Sequence, residues 1–220
     1  LEYEPKEEYA VKYDLSDEEL YSFIAELLQE YPPTGDEKVV CYRIDDTMNV
    51  DYANVARTVE CRVFDPKFKN DPEDMKEGYG SYEDQSFFFL AVDTEGKKPA
   101  GVFRIIRSGE HGFKTLNDIA GIKDDPEYIQ RVYEHYDIDN PEECWDLATA
   151  AVIPEYYGTG PLLYRAALVG SQDENIKHFF SVIDKTAYRP MDVMGFPFEP
   201  LFETDWMEYM GSKLSLPVHG

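Results

Sequence analysis

Apolar residues recur at i, i+3, i+4, i+7 and i+8 through Leu20, Phe23, Ile24, Leu27 and Leu28, which predicts an amphipathic helix. Ser16 and Glu19 form a capping box at its start, and Tyr31-Pro32-Pro33 stops it. Residues 1–14, acidic and tyrosine-rich without a period, read as an extended arm. Lys38 to Ile44 predicts a strand, and Tyr52, Val55, Ala56, Val59 and Val63 are the buried face of a second helix over Val50 to Phe64. Residues 65–85 are rich in Gly, Pro and acidic side chains and read as a long loop, a candidate lid. Ser86 to Val92 and Ala100 to Ser108 form two strands around the turn 93–99. Gly109 to Asp125 reads as loop with one helical turn, and Glu127 to Tyr136 as a short helix with Ile129, Val132 and Tyr133 inward. A strand over His178 to Ile183, a helix from Thr186 to Met194 capped by Gly195, and one or two strands over Trp206 to Val218 complete the chain.

The stretch from Trp145 to Leu168 organises these elements. Trp145 to Ile153 is apolar and small with no helical period, and Pro154 ends it. Gly158 and Gly160 permit a tight turn, Pro161 suits a first helical position, and Leu162, Leu163, Ala166 and Ala167 follow at helical spacing. A glycine-fronted helix N-terminus is a ready anion site. The pattern predicts a mixed α/β (α+β) domain with antiparallel strands first and a βαβ-like unit after them. Residues 1–36 form an acidic arm and helical extension, and residues 37–220 the domain proper.

Charge narrows the classes. Lys and Arg number 21 against 45 Asp and Glu, a net −24 that excludes nucleic acid as a natural partner and disfavours anionic membranes. No apolar run reaches the ~18 residues of a membrane span, and no apolar leader opens the sequence. Cys41, Cys61 and Cys144 are too few and too scattered for a disulfide framework or zinc knot, which predicts a reducing, cytoplasmic setting. His111 and His178 have no metal-ligand spacing, so no metal is expected. There is no nucleophile elbow, no Walker sequence and no third glycine of a dinucleotide fingerprint.

Two motifs resemble the GNAT (Gcn5-related N-acyltransferase) superfamily. Val152-Ile153-Pro154-Glu155-Tyr156-Tyr157-Gly158-Thr159-Gly160-Pro161-Leu162 is similar to its acyl-donor motif V-x-P-E-x-R-G-x-G-x-G/A, with Tyr157 for the arginine and Leu162 for the last Gly/Ala. Asp184-x-x-Ala187-x-x-x-Met191-x-x-x-Gly195-Phe196 is similar to its N-x-x-A-x-x-x-Y-x-x-x-G-F, with Met191 for the tyrosine that often serves as general acid. Gly101-Val102-Phe103-Arg104-Ile105 resembles the G-x-x-R-L of the autoinducer-synthase and N-acyl amino acid synthase branch. Thr149 replaces that branch's core-strand arginine, and Glu60, four residues before Phe64, breaks its helical arginine spacing.

The resemblance implies a GNAT-type mixed sheet flanked by helices. It also implies transfer of an acyl group from acyl-CoA, acetyl-CoA or acyl-carrier protein to a small-molecule amine by direct attack. Backbone groups from Thr149 through Ala150 to Val152 would meet the thioester arm. Tyr157, Gly158, Thr159, Gly160 and Leu162 would surround the donor phosphates, with one N–H fewer at Pro161. Asp146 and Glu110 are candidate bases, Tyr188 a substitute general acid, and Arg104 a clamp for a substrate carboxylate. Three of these have a plainer structural reading: a strand-end salt bridge for Asp146, an internal ion pair for Arg104, a backbone-bonded hydroxyl for Tyr188. The replaced arginine and tyrosine leave two alternatives, a GNAT-fold domain that binds without catalysis and a small-molecule acetyltransferase.

Overall fold

A computed structural model describes residues 11–193 and 195–220; the first ten residues of the expected arm and Met194 lie outside them. The capping box of Ser16 and Glu19 is formed, and it starts helix α1 (Asp17–Glu30), whose Leu20, Ile24 and Leu27 are buried. Strand β1 (Val39–Ile44) leads to helix α2 (Val50–Phe68), with Asn49 as its N-cap. Strands β2 (Ser86–Asp93) and β3 (Lys98–Arg107) make the predicted hairpin. Helix α1 shares one core with α2, β2 and β3.

Two segments read as loop are helical. The chain from residue 65 to 85 extends α2 to Phe68, then forms α3 (Pro72–Tyr79) and a 3-10 turn (Gly80–Gln85). The start of α3 is written locally. Asp71 caps it, Asp74 returns the capping box, Pro72 takes the first turn, and Met75 and Tyr79 are buried one turn apart. The chain after Gly109 forms α4 (Lys114–Lys123). Phe113 offers its N-terminus no side-chain cap; the cap comes from another element, as described below.

Helix α5 (Tyr128–His135) follows, then β4 (Cys144–Val152), a 3-10 turn (Pro154–Thr159), α6 (Gly160–Asp173), β5 (His178–Asp184) and α7 (Lys185–Val193). Gly195 closes α7 at φ 79°, in the left-handed region glycine favours. Short β6 (Glu199–Pro200) and β7 (Met207–Tyr209) precede β8 (Ser212–His219).

Among the described residues the strands form one sheet in the order β1-β2-β3-β4-β5-β8-β6, with β7 also on β8. All pairs are antiparallel except β4 with β5. Residues of α1 and α2 pack on one face with Phe88, Leu90, Val102 and Ala151. The other face buries Phe87, Phe89, Phe103, Trp145 and Leu147 under α6. Phe87, Phe88, Phe89 and Phe180 are fully packed core. No helix is long and apolar enough to cross a membrane among the described residues.

Candidate active site

The parallel pairing of β4 and β5 lasts three residues, Cys144 with His178, Trp145 with Phe179 and Asp146 with Phe180. The Ser181 hydroxyl donates to the Leu147 carbonyl at 2.8 Å and closes the junction. Beyond it the strands separate. β4 stays with β3 as far as Val152, and β5 continues with β8. A bulge sharpens the split: Leu147 opposes Ile105 and Thr149 opposes Arg104, so Ala148 is the extra residue. The bulge turns Thr149 toward α2, where its hydroxyl donates to Glu60.

A cavity of about 140 Å³ fills the wedge. Leu147 to Ala150 and Ser181 to Asp184 form its sides. Phe64, Phe68, Met75, Tyr79, Tyr209 and Met210 wall it on the α2 and α3 side; Phe103, Tyr164, Ala187, Met191 and Phe198 do so on the α6 and α7 side. The cavity therefore passes through the sheet at the point where the strands part. Such a passage lets two reactants meet from opposite faces beside backbone N–H and C=O groups of β4 that have no strand partner toward β5.

The turn that leads into α6 lies outside the cavity lining, and Tyr164 is the α6 residue that borders the cavity. Neither Gly158 nor Gly160 has a positive φ, so the expected tight turn is instead a 3-10 turn running straight into α6. Both glycines face open space, where a Cβ added at either would meet nothing within 4 Å. No side chain caps the α6 N-terminus, and Pro161 sits in its first turn. An anion can therefore approach these backbone donors closely. Tyr157 stands 80% exposed beside them, Thr159 is buried, and Leu162 is half-buried. Ala150, exposed and lining the cavity, and Val152 lie on β4.

Arg104 is fully buried and turned toward α2. Its guanidinium donates to Glu60 at 2.8 Å, Glu83 at 3.1 Å and the Tyr13 hydroxyl at 3.0 Å. Arg57 joins Glu83 at 2.7 Å. Burial acts to raise the Glu83 carboxyl, but Arg104 and Arg57 overcome it and hold the group below the usual range. The internal ion pair is thus the arrangement at Arg104, and a substrate carboxylate would have to displace Glu60. The last residues of the N-terminal arm belong to the same network, through Tyr13.

Asp146 is fully buried. Its two oxygens accept from the Thr115 amide at 2.6 Å and the Thr115 hydroxyl at 2.8 Å. It is the missing cap of α4, supplied across the core by β4. Burial pushes its carboxyl up to about 6 despite the Thr115 bonds. Glu110 is exposed in the turn before α4, and the Tyr188 ring stands edge-on to Trp206 at 5.5 Å; neither lines the cavity.

Several cavity groups were not read from the sequence. Tyr164 on α6 faces Met191, its hydroxyl 3.8 Å from the sulfur, and burial raises it to about 12. Tyr209 donates to Asp118, which also binds Lys114. Glu60 did leave a trace: a carboxylate on the apolar face of α2 and an arginine inside an apolar strand each require a buried partner.

The strand order, the β4 bulge and the splay at the single parallel pair define the GNAT fold, and this chain has it. Solved structures agree. The chain is similar to the AHL synthase LasI (TM-score 0.58, 12% identity, 84% of this chain and 91% of that one). It is similar to the C-terminal condensation domain of Ebony in complex with beta-alanyl-dopamine (0.57, 11%, 83% and 98%). It is also similar to the mosquito arylalkylamine N-acetyltransferase like 5b (0.56, 15%, 83% and 99%). No protein-family model and no curated protein sequence matches this chain.

Proposed function

We propose that this protein is an N-acyltransferase that moves an acyl group from a CoA thioester to a small-molecule amine in a ternary complex. The observation that carries the reading is the cavity in the wedge between β4 and β5, bordered by Tyr164 one turn after the uncapped N-terminus of α6. The donor phosphates rest on Gly158, Thr159 and Gly160, and the thioester arm follows Ala150 and Val152. The amine nitrogen bonds to the thioester carbonyl carbon, the carbon–sulfur bond breaks, and the thiolate leaves with the electron pair. Backbone N–H groups of β4 near Thr149 stabilise the oxyanion.

The nitrogen's proton needs an acceptor. Asp146 and Glu110 do not face the cavity and would act only through intervening groups. Tyr209 lines the cavity and its hydroxyl is bonded to the Asp118 carboxylate, so it can take the proton while passing its own to Asp118. Tyr164 replaces Tyr188 as the hydroxyl placed to protonate the thiolate, because it lies over Met191 inside the cavity. An acyl group on a carrier protein is the alternative donor, favoured by Tyr157 in place of a phosphate-binding arginine.

The test is incubation with acetyl-CoA, palmitoyl-CoA and an acyl-carrier protein thioester, each with a mixed amine pool, reading free thiol. Thiol release is expected, with a thermal shift on adding CoA. No release with any donor and no shift with CoA would overturn the proposal.

A further inference from the structure

The walls on the α2 and α3 side carry more information about the acceptor than the motifs do. Phe64, Phe68, Met75, Tyr79, Tyr209 and Met210 supply four aromatic rings and two thioethers. The polar groups among them are already engaged. Asn70 donates to the Met210 carbonyl at 3.1 Å, and Ser212 donates to Asp184 at 2.6 Å. Lys67 lies at the rim, 3.7 Å from Asp184 and 4.6 Å over the Phe68 ring. Arg104 is turned away and held by Glu60 and Glu83.

We infer that the acceptor is an aromatic primary amine lacking a carboxylate, of the arylethylamine type. This rests on the acyl-transfer reading and names the amine that the same cavity takes. A flat ring fits walls of rings and thioethers, which favour offset and edge contacts. The amine arrives as a cation, and the net −24 of the chain attracts it. A carboxylated analogue carries a charge that loses its water inside the cavity, where the nearby cations Lys67, Lys114 and Arg104 are already paired. The same reasoning disfavours polar aliphatic amines, which leave the rings without a partner.

The experiment pairs each amine with its amino acid: phenylethylamine with phenylalanine, and tryptamine with tryptophan. Binding to the full chain is measured by calorimetry without donor, and acyl transfer by thiol release with acetyl-CoA. The decarboxylated member is expected to bind and to react at least about tenfold better. Phe68→Arg, which puts an unpaired cation at the rim, is expected to shift the preference about tenfold toward phenylalanine. Equal or tighter binding of the amino acids, or preference for a polar diamine such as putrescine, would overturn the inference. So would thiol release with other amines but none of the aromatic ones, and the transfer reading would then survive. Binding of the aromatic amines without thiol release from any donor keeps the acceptor site and defeats the transfer reading instead.

Discussion

Arg104 and Glu60 are both fully buried and face each other across the β3–α2 interface, with Thr149, Tyr13 and Glu83 completing their bonds. Removing one partner strands a charge in the core. Arg104→Met is expected to cost about 3–5 kcal/mol in urea unfolding, and the double change Arg104→Met with Glu60→Gln clearly less. Asp146 makes a separate prediction. Its carboxyl rises from 3.8 to about 6 in the fold, chiefly through burial. The native state therefore holds a proton that the unfolded chain has lost, and stability from this group declines as pH rises from about 4 through 6. Asn at 146 keeps an acceptor for Thr115 and does not ionise. Relative to the parent, Asp146→Asn should gain up to about 3 kcal/mol between pH 4 and pH 7 in denaturant titrations.

At the level of elements, the cavity wall depends on a turn that touches a helix end. Gly211, between β7 and β8, has φ 80°, and a Cβ there would lie 2.1 Å from the Phe68 carbonyl oxygen at the end of α2. The obstacle is backbone, so it cannot rotate away. Gly211→Ala is expected to destabilise by about 2 kcal/mol or more and to displace Tyr209 and Met210 from the cavity wall. Thermal unfolding reads the first effect, and loss of amine binding the second. Elements differ in how openly they are written. α1 and α3 carry their caps in their own residues, Ser16 with Glu19 and Asp71 with Asp74. For α3 the signal was present but hidden in an acidic, Gly- and Pro-bearing stretch that reads as loop. α4 has no local cap, because its cap, Asp146, is 31 residues away in sequence.

Across the whole molecule, His219 ends the last strand against His178, the first residue of β5. Its ring stacks on Tyr136 at 3.7 Å, and its Nε2 lies 3.0 Å from His178 Nδ1. Glu199 is 3.6 Å away. Burial, then His178, lowers His219 to about 4. Its contribution is present above the ordinary 6.5 and is lost as pH falls toward 4, the opposite sign to Asp146. His219→Gln should remove about 3 kcal/mol of this acid sensitivity, measured as the slope of unfolding free energy between pH 6.5 and 4. The sequence by itself determined the period of α1 and α2, the β2–β3 hairpin, and the strand–turn–helix from Trp145 to Leu168. These rest on neighbours a few positions apart, whose spacing survives in any tertiary setting. Only the tertiary structure decided the bulge at Ala148, the wedge between β4 and β5, the saturation of Arg104, and the joining of Tyr79, Tyr164 and Tyr209 in one cavity. Those depend on which strand runs beside which, and on buried charges finding partners tens of residues away.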